Sequence, residues 1–168
     1  MTGQTRRLTV EDAPSCASLR KEALADSPEA FASTYQEEVK DGDFMGKVQQ
    51  RLLCRDAVTF GSFYEDQLVG TVMVWKKSIQ KMRHKADIEA MYVTKRYRGS
   101  GVGRALMQAV FAQARIWDLE QLQLAVVSSN QEAKAFYHSF GFQTYGVEKA
   151  ALKHNGVYWD EEYMTLFL

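Results

Sequence analysis

The amino-acid sequence predicts a mixed α/β sheet with helices packed on it. Three observations carry this. Runs rich in β-branched and aromatic residues recur along the chain, and between them apolar residues return at helical spacing. The length of 168 residues, without an internal repeat, low-complexity tract or Pro/Gly/Ser linker, predicts one domain over 1–168 with its own core.

Arg7-Leu8-Thr9-Val10 reads as a short first strand. A helix follows from near Glu11 to about Ala25, with Thr9 or Glu11 available as a cap and Pro14 tolerated in the first turn. Ala13, Cys16, Ala17, Ala23 and Leu24 supply its apolar side. Ser27-Pro28 reads as the N-cap and first-turn proline of a second, short helix through Phe31 and Tyr35. A third helical piece covers Phe44 to Leu53. The period then changes: Ala57 to Tyr64 and Leu68 to Trp75 are strands around a Glu65-Asp66-Gln67 turn, and Ala86 to Val93 is a further strand. Lys76, Lys77, Lys81, Arg83 and Lys85, between the last two, read as a solvated loop or a binding patch.

From Gly101 to about Trp117 a long helix shows Val102, Leu106, Ala109 and Val110 as a buried stripe, weakened by Gln113 in the same sector. Gln121 to Val127 is a strand. Asn130 to Phe140 is a helix with Ala133, Phe136, Tyr137 and Phe140 at i, i+3, i+4 and i+7; Ser129 and Glu132 form a capping box and Gly141 supplies the stop. Phe142 to Val147 and Tyr163 to Leu168 close the chain as strands.

Composition narrows the function classes. Lys plus Arg equals Asp plus Glu at 21 each, so no net field draws the chain to nucleic acid or an anionic membrane. Two cysteines outside any CxxC pair argue against a disulfide framework or zinc site. The N-terminus, Met1 to Arg7, carries no apolar signal-peptide region, and no apolar run approaches the ~20 residues that span a bilayer. A cytoplasmic location is expected. His84, His138 and His154 are scattered without metal-ligand spacing, so they read as surface or core histidines and no metal is implied.

The chemistry concentrates in Met91-Tyr92-Val93-Thr94-Lys95-Arg96-Tyr97-Arg98-Gly99-Ser100-Gly101-Val102-Gly103-Arg104, a strand, a loop and glycines opening a helix. Glycines let a backbone approach a ligand closely, and the free N–H groups at a helix start favour phosphate. Arg98 and Arg104 add positive charge. The third glycine of a dinucleotide fingerprint and the GK[S/T] of a P-loop are both missing. By themselves these glycines would also suit a tight structural turn.

Arg98-Gly99-Ser100-Gly101-Val102-Gly103 resembles the Q/R-x-x-G-x-G/A motif of the GNAT superfamily of N-acetyltransferases. Asn130 to Phe142, with Ala133, Phe136-Tyr137 and Gly141-Phe142, is similar to that family's N…A…FY…GF helix, in the same order and at the expected separation. The resemblance implies an acyl-CoA N-acyltransferase fold: a central, mostly antiparallel sheet flanked by helices, splayed beside one strand to admit acetyl-CoA. It implies that Met91, Tyr92 and Val93 meet the pantetheine arm, that Arg98, Gly99, Ser100, Gly101, Val102, Gly103 and Arg104 meet the pyrophosphate, and that Asn130 contacts the cofactor. Asn130 also suits a plain helix-terminus role.

Acetyl transfer needs a neutral amine, a stabilised carbonyl oxygen and a protonated leaving thiolate. A backbone N–H of the Met91–Val93 strand can serve the oxygen. Tyr137, at the tyrosine of the family's FY pair, is the candidate acid, though its helical spacing equally suits the core. Glu89 is the candidate base, with Asp87 its rival and a structural ion pair or exposed edge position the bland alternative. Neither cysteine has a nearby activating partner in sequence, so direct attack in a ternary complex is expected. The acceptor, a small-molecule or peptide amine, is expected between the first helices and last strands, near Phe31 to Tyr35 and Lys149 to Tyr158. Glu37, Glu38, Asp160, Glu161 and Glu162 there suggest a cationic amine such as a polyamine. A homodimer is the family's common state. The competing readings are a non-catalytic acyl-CoA-binding sensor and a nucleotide-binding module.

Overall fold

The computed structural model describes residues 3–40 and 42–168; Met1 and Thr2, where the N-terminal reading begins, and Asp41 lie outside them. Seven strands form one sheet in the order β1-β2-β3-β4-β5-β7-β6. They are β1 Gln4–Arg7, β2 Ala57–Tyr64, β3 Gln67–Lys76, β4 Lys85–Val93, β5 Gln121–Val127, β6 Gln143–His154 and β7 Val157–Phe167. The helices are α1 Ala13–Asp26, α2 Phe44–Leu53, α3 Val102–Ile116 and α4 Gln131–His138. All neighbouring strands are antiparallel except β4 and β5. The order of strands and helices agrees with the sequence expectation, and the sheet is mostly antiparallel.

The main core lies between the sheet and α3 with α4. Val58, Val72, Val74, Ala86, Ile88 and Leu122 meet Leu106, Met107 and Val110 there, at 5% exposure or less. Met107 and Ala114 join the α3 stripe that Val102, Leu106 and Val110 define, while Gln113 and Ala109 sit at its margins. The other face of β1–β4 carries α1 and α2, with Leu8, Leu19, Ala23, Leu68 and Tyr92 packed together. Burial of such side chains contributes about 1.5–3 kcal/mol each.

Several boundaries differ from the sequence reading. The first strand is Gln4–Arg7, not Arg7–Val10. Leu8 turns into the core, and the Thr9 amide is committed to Asp12 Oδ2 (2.8 Å), which starts a turn at Val10. Arg6 grips the same carboxylate through two bonds of 2.7 and 2.8 Å, tying β1 to the start of α1. The helix expected after Ser27-Pro28 is a single 3₁₀ turn, Pro28–Ala30; Ser27 makes no capping bond and Phe31 is already extended. Asn130, not Ser129, caps α4: its Oδ1 accepts from the Ala133 amide at 3.0 Å. The last two strands are much longer than predicted because Asn155-Gly156, with φ of 48° and 78°, closes a tight hairpin between β6 and β7.

Candidate functional site

β4 and β5 pair only at Lys85↔Gln121, Ala86↔Leu122 and Asp87↔Gln123. Beyond these the two strands run on to Val93 and Val127 without pairing, which leaves a wedge open between them. On its other side β4 carries a bulge. Met73 faces Glu89 and Thr71 faces Tyr92, so Ala90 and Met91 together oppose the single residue Val72. Ala90 has φ of +50°, a conformation a non-glycine residue holds only under surrounding constraint. The bulge splits the strand's duties: Met91 lines a large cleft on the α3–α4 side, and Ala90 lines a small hollow on the α1–α2 side.

The large cleft has a volume of about 720 Å³. Met91, Tyr92 and Val93 form one wall, and Arg98, Gly99, Gly101, Gly103 and Arg104 form its end. Asn130, Ala133, Phe136 and Tyr137 of α4 face them, and the Ser27–Phe31 turn closes the rim. Gly101 is the N-cap of α3 with φ of 93°, and no side chain caps the helix there. The first amides of α3 therefore have no intrahelical partner and face the cleft's end. At Gly103 an added Cβ would stand 3.1 Å from the Phe136 ring, so the absence of a side chain lets α3 approach α4 closely.

The arginines differ in their attachments. Arg98 Nε donates to the Val93 carbonyl at 3.0 Å and its guanidinium lies over the Tyr92 ring, which pins the loop to β4. Arg104 lies over Phe140, 5.3 Å from the ring centroid. Tyr92 is buried, and its single hydroxyl proton lies between the carboxylates of Glu22 (3.0 Å) and Asp26 (3.2 Å), anchoring β4 on α1. Ser100 and Val102 do not line the cleft: Ser100 Oγ donates to the Tyr97 carbonyl at 2.6 Å, and the Val102 side chain is in the main core.

Tyr137 is 8% exposed and packs edge-on against Phe136 and Phe142, yet it lines the cleft. Its hydroxyl has no hydrogen-bond partner among the described residues, and burial pushes its pKa up, so the phenol stays protonated. Asn130 is both cap and cleft wall, its amide NH₂ left over from the cap. Glu89 stands apart from the large cleft, on the α1–α2 side of the bulge. It is exposed; desolvation, then the charge of Asp87, raises its pKa. Asp87 itself is held in an ion pair by Lys77. Among the described residues no group of three or more His, Cys, Asp or Glu side chains could hold a metal ion, and no helix is long and apolar enough to cross a membrane.

The description of the Acetyltransferase (GNAT) family matches residues 17–142. The chain belongs to the GNAT acetyltransferase family. Uncharacterized N-acetyltransferases of Mycobacterium bovis and Mycobacterium tuberculosis are 28% identical to this GNAT chain over 103 residues, 61% of it and 62% of their own length, so the shared part falls short of two thirds of those relatives. The acetyltransferase of the GNAT family from Streptococcus pneumoniae superposes with a TM-score of 0.86 at 19% identity, over 99% of this chain and 100% of that one. YncA from Salmonella typhimurium, solved with its cofactor acetyl-CoA, superposes with a TM-score of 0.83 at 18% identity, over 100% of this chain and 95% of that one. At these identities both structures speak for the shared fold alone.

Sequence reasoning missed Phe136 as a cleft residue, the Ser27–Phe31 rim and the hollow under Ala90. Phe136 carried a signal, since it belongs to the same FY pair as Tyr137. The rim and the hollow carried none, because each is made by segments far apart in the chain.

Proposed function

We propose that this chain transfers the acetyl group of acetyl-CoA to a primary amine, by direct attack in a ternary complex. The observation that supports the reading best is the wedge between β4 and β5, which opens onto a cleft of about 720 Å³ ending at the uncapped start of α3. The residues fit the cofactor. Gly99 and Gly101, with φ of 74° and 93°, have nothing within 4 Å of an added Cβ, so the loop leaves room outside it for a bulky diphosphate. The amides at the start of α3 and Arg104 would hold that diphosphate, with Arg98 bracing the loop. The backbone of Met91, Tyr92 and Val93 would hold the pantetheine arm along the wedge, and Asn130 would offer its free NH₂.

When bound, acetyl-CoA supplies an activated acetyl thioester. Glu89 takes a proton from the amine, directly or through a water; desolvation and the charge of Asp87 make it a stronger base than an ordinary carboxylate. A backbone N–H of the bulged Met91–Val93 strand meets the carbonyl oxygen as it gains charge. The amine nitrogen bonds to the carbonyl carbon, the carbon–sulfur bond breaks, and Tyr137 gives its proton to the departing thiolate. The free hydroxyl of Tyr137 at the cleft wall suits that role by its position. Glu89 is preferred to Asp87 because Lys77 already occupies Asp87.

The first experiment is the shift in melting temperature with acetyl-CoA beside free CoA, ATP and NAD. A ligand that binds only the folded state, at 100 times its dissociation constant, adds ~2.7 kcal/mol. Shifts with acetyl-CoA and CoA, followed by thiol release when amines are supplied, are expected. Shifts with ATP or NAD alone would refute the reading.

A further inference from the structure

The second side of the β4 bulge holds a hollow of about 60 Å³ between α1, α2 and the sheet. Its walls are apolar, with Cys16, Val48, Leu52, Met73 and Ala90 among them, and Arg20 and Arg51 stand beside these. Ala90 lies one residue from Met91 of the acetyl-CoA cleft and one from Glu89. A group seated in the hollow is thus separated from the cleft by the thickness of one strand.

The charges around the hollow balance in number but are not all in contact. Glu38 is buried at 6% exposure and receives two bonds from Arg20, at 2.6 and 3.0 Å. Arg51 is 3.7 Å from the same carboxylate with its side chain 40% exposed. Glu38 takes Arg20 at hydrogen-bond distance and holds Arg51 only at 3.7 Å, where Arg51 also feels the charge of Glu89. Glu89, exposed on the same face of β4, makes no ion pair among the described residues. A cation and an anion therefore flank the hollow without touching. Four of the five acidic residues that suggested a polyamine have partners of the chain's own: Asp160 is bound by Lys149, Glu162 by Lys134, Glu38 by Arg20, and Glu37 accepts from Thr34; the fifth, Glu161, lies beside Glu148.

We propose that the acceptor is a zwitterionic amine of the α-amino-acid type. Its carboxylate meets Arg51, its amino group lies toward Glu89, and its apolar side chain enters the hollow, which has room for about four carbon atoms. This rests on the acetyl-transfer reading above, and bond making and breaking are as given there.

The test measures thiol release from acetyl-CoA with L-valine, L-valinamide, glycine and spermidine, on wild type, Arg51→Gln and Cys16→Leu. Each variant is first checked for an unchanged acetyl-CoA melting shift, which establishes that it is folded with an intact cofactor cleft. Valine is expected to exceed valinamide, glycine and spermidine in kcat/KM by at least about tenfold, the worth of one charge-assisted hydrogen bond or a few buried methyl groups. Arg51→Gln raises KM for valine about tenfold with kcat within about twofold, and leaves valinamide unchanged. Cys16→Leu, which fills the hollow, erases the preference for valine over glycine. Preference for spermidine or valinamide, or an Arg51→Gln enzyme with wild-type KM for valine, overturns the proposal while acetyl transfer stands. Failure of acetyl-CoA to bind the wild type overturns both.

Discussion

Replacing Glu38 by Gln probes the charge arrangement beside the hollow, and its consequence can be worked from the structure. Burial alone would raise the Glu38 carboxyl; hydrogen bonds from Arg20 and Ser33 and the charges of Arg20 and Arg51 outweigh it and hold the pKa at about 2, against an ordinary 4.5. The folded value lies below the unfolded one, so the ionised group contributes stability above pH 4.5, and that stability is lost as the pH falls from 4.5 through about 2. At 1.36 kcal/mol for each tenfold change in proton affinity, the contribution is about 3 kcal/mol at pH 7. Glu38→Gln removes it and leaves Arg20, 15% exposed, facing a neutral amide. Urea unfolding at pH 7 should show a loss of about 2–3 kcal/mol, and at pH 2.5 most of the difference from wild type should be gone. A loss below about 1 kcal/mol at pH 7, or a difference that is the same at both pH values, would refute the reasoning.

Three further outcomes are expected. Tyr137→Phe should lower kcat by about a hundredfold or more while the acetyl-CoA melting shift persists, and should leave stability unchanged or slightly raised, because the lost hydroxyl has no partner; both are read from steady-state rates and thermal melts. Desolvation and the charge of Asp87 raise the Glu89 pKa above that of an ordinary glutamate, so the acid-side fall of kcat/KM should lie at higher pH than an ordinary glutamate would give, and Glu89→Gln should lose most of the rate along with that acid limb in a pH–rate profile. Gly101→Ala meets no neighbour within 4 Å but forces a side chain to φ of 93°, so it should cost about 1–2 kcal/mol in urea unfolding and weaken acetyl-CoA in the melting assay.

Much of this molecule was legible locally. Asp43 caps α2 through the Gly46 amide, and the helix spans the predicted Phe44–Leu53. Strands β2 and β5 also have the predicted bounds, since β-branched runs ended by turn residues leave little choice. The short Glu65-Asp66 turn closes the β2–β3 hairpin with φ of 47° and 63°, close to where the sequence put it. The misreadings also have local causes: Thr9 prefers a capping bond to a strand, and Asn130 competes with Ser129 for the same cap. The Asn155-Gly156 pair was a readable hairpin signal that the short strand assignments passed over.

By itself the sequence determined the order of strands and helices, the glycine opening of α3, and the places of Glu89 on a strand and Tyr137 on a helix, because period, caps and positive-φ glycines act within a few residues of one another. The tertiary structure alone decided that β4 parts from β5 after Asp87, that Ala90 and Met91 oppose Val72, and that Arg51 comes to a hollow beside Ala90. Those features depend on strand register and on helices packed against distant strands. Register is fixed by partners tens of residues away, and no local pattern encodes which residue will be the extra one.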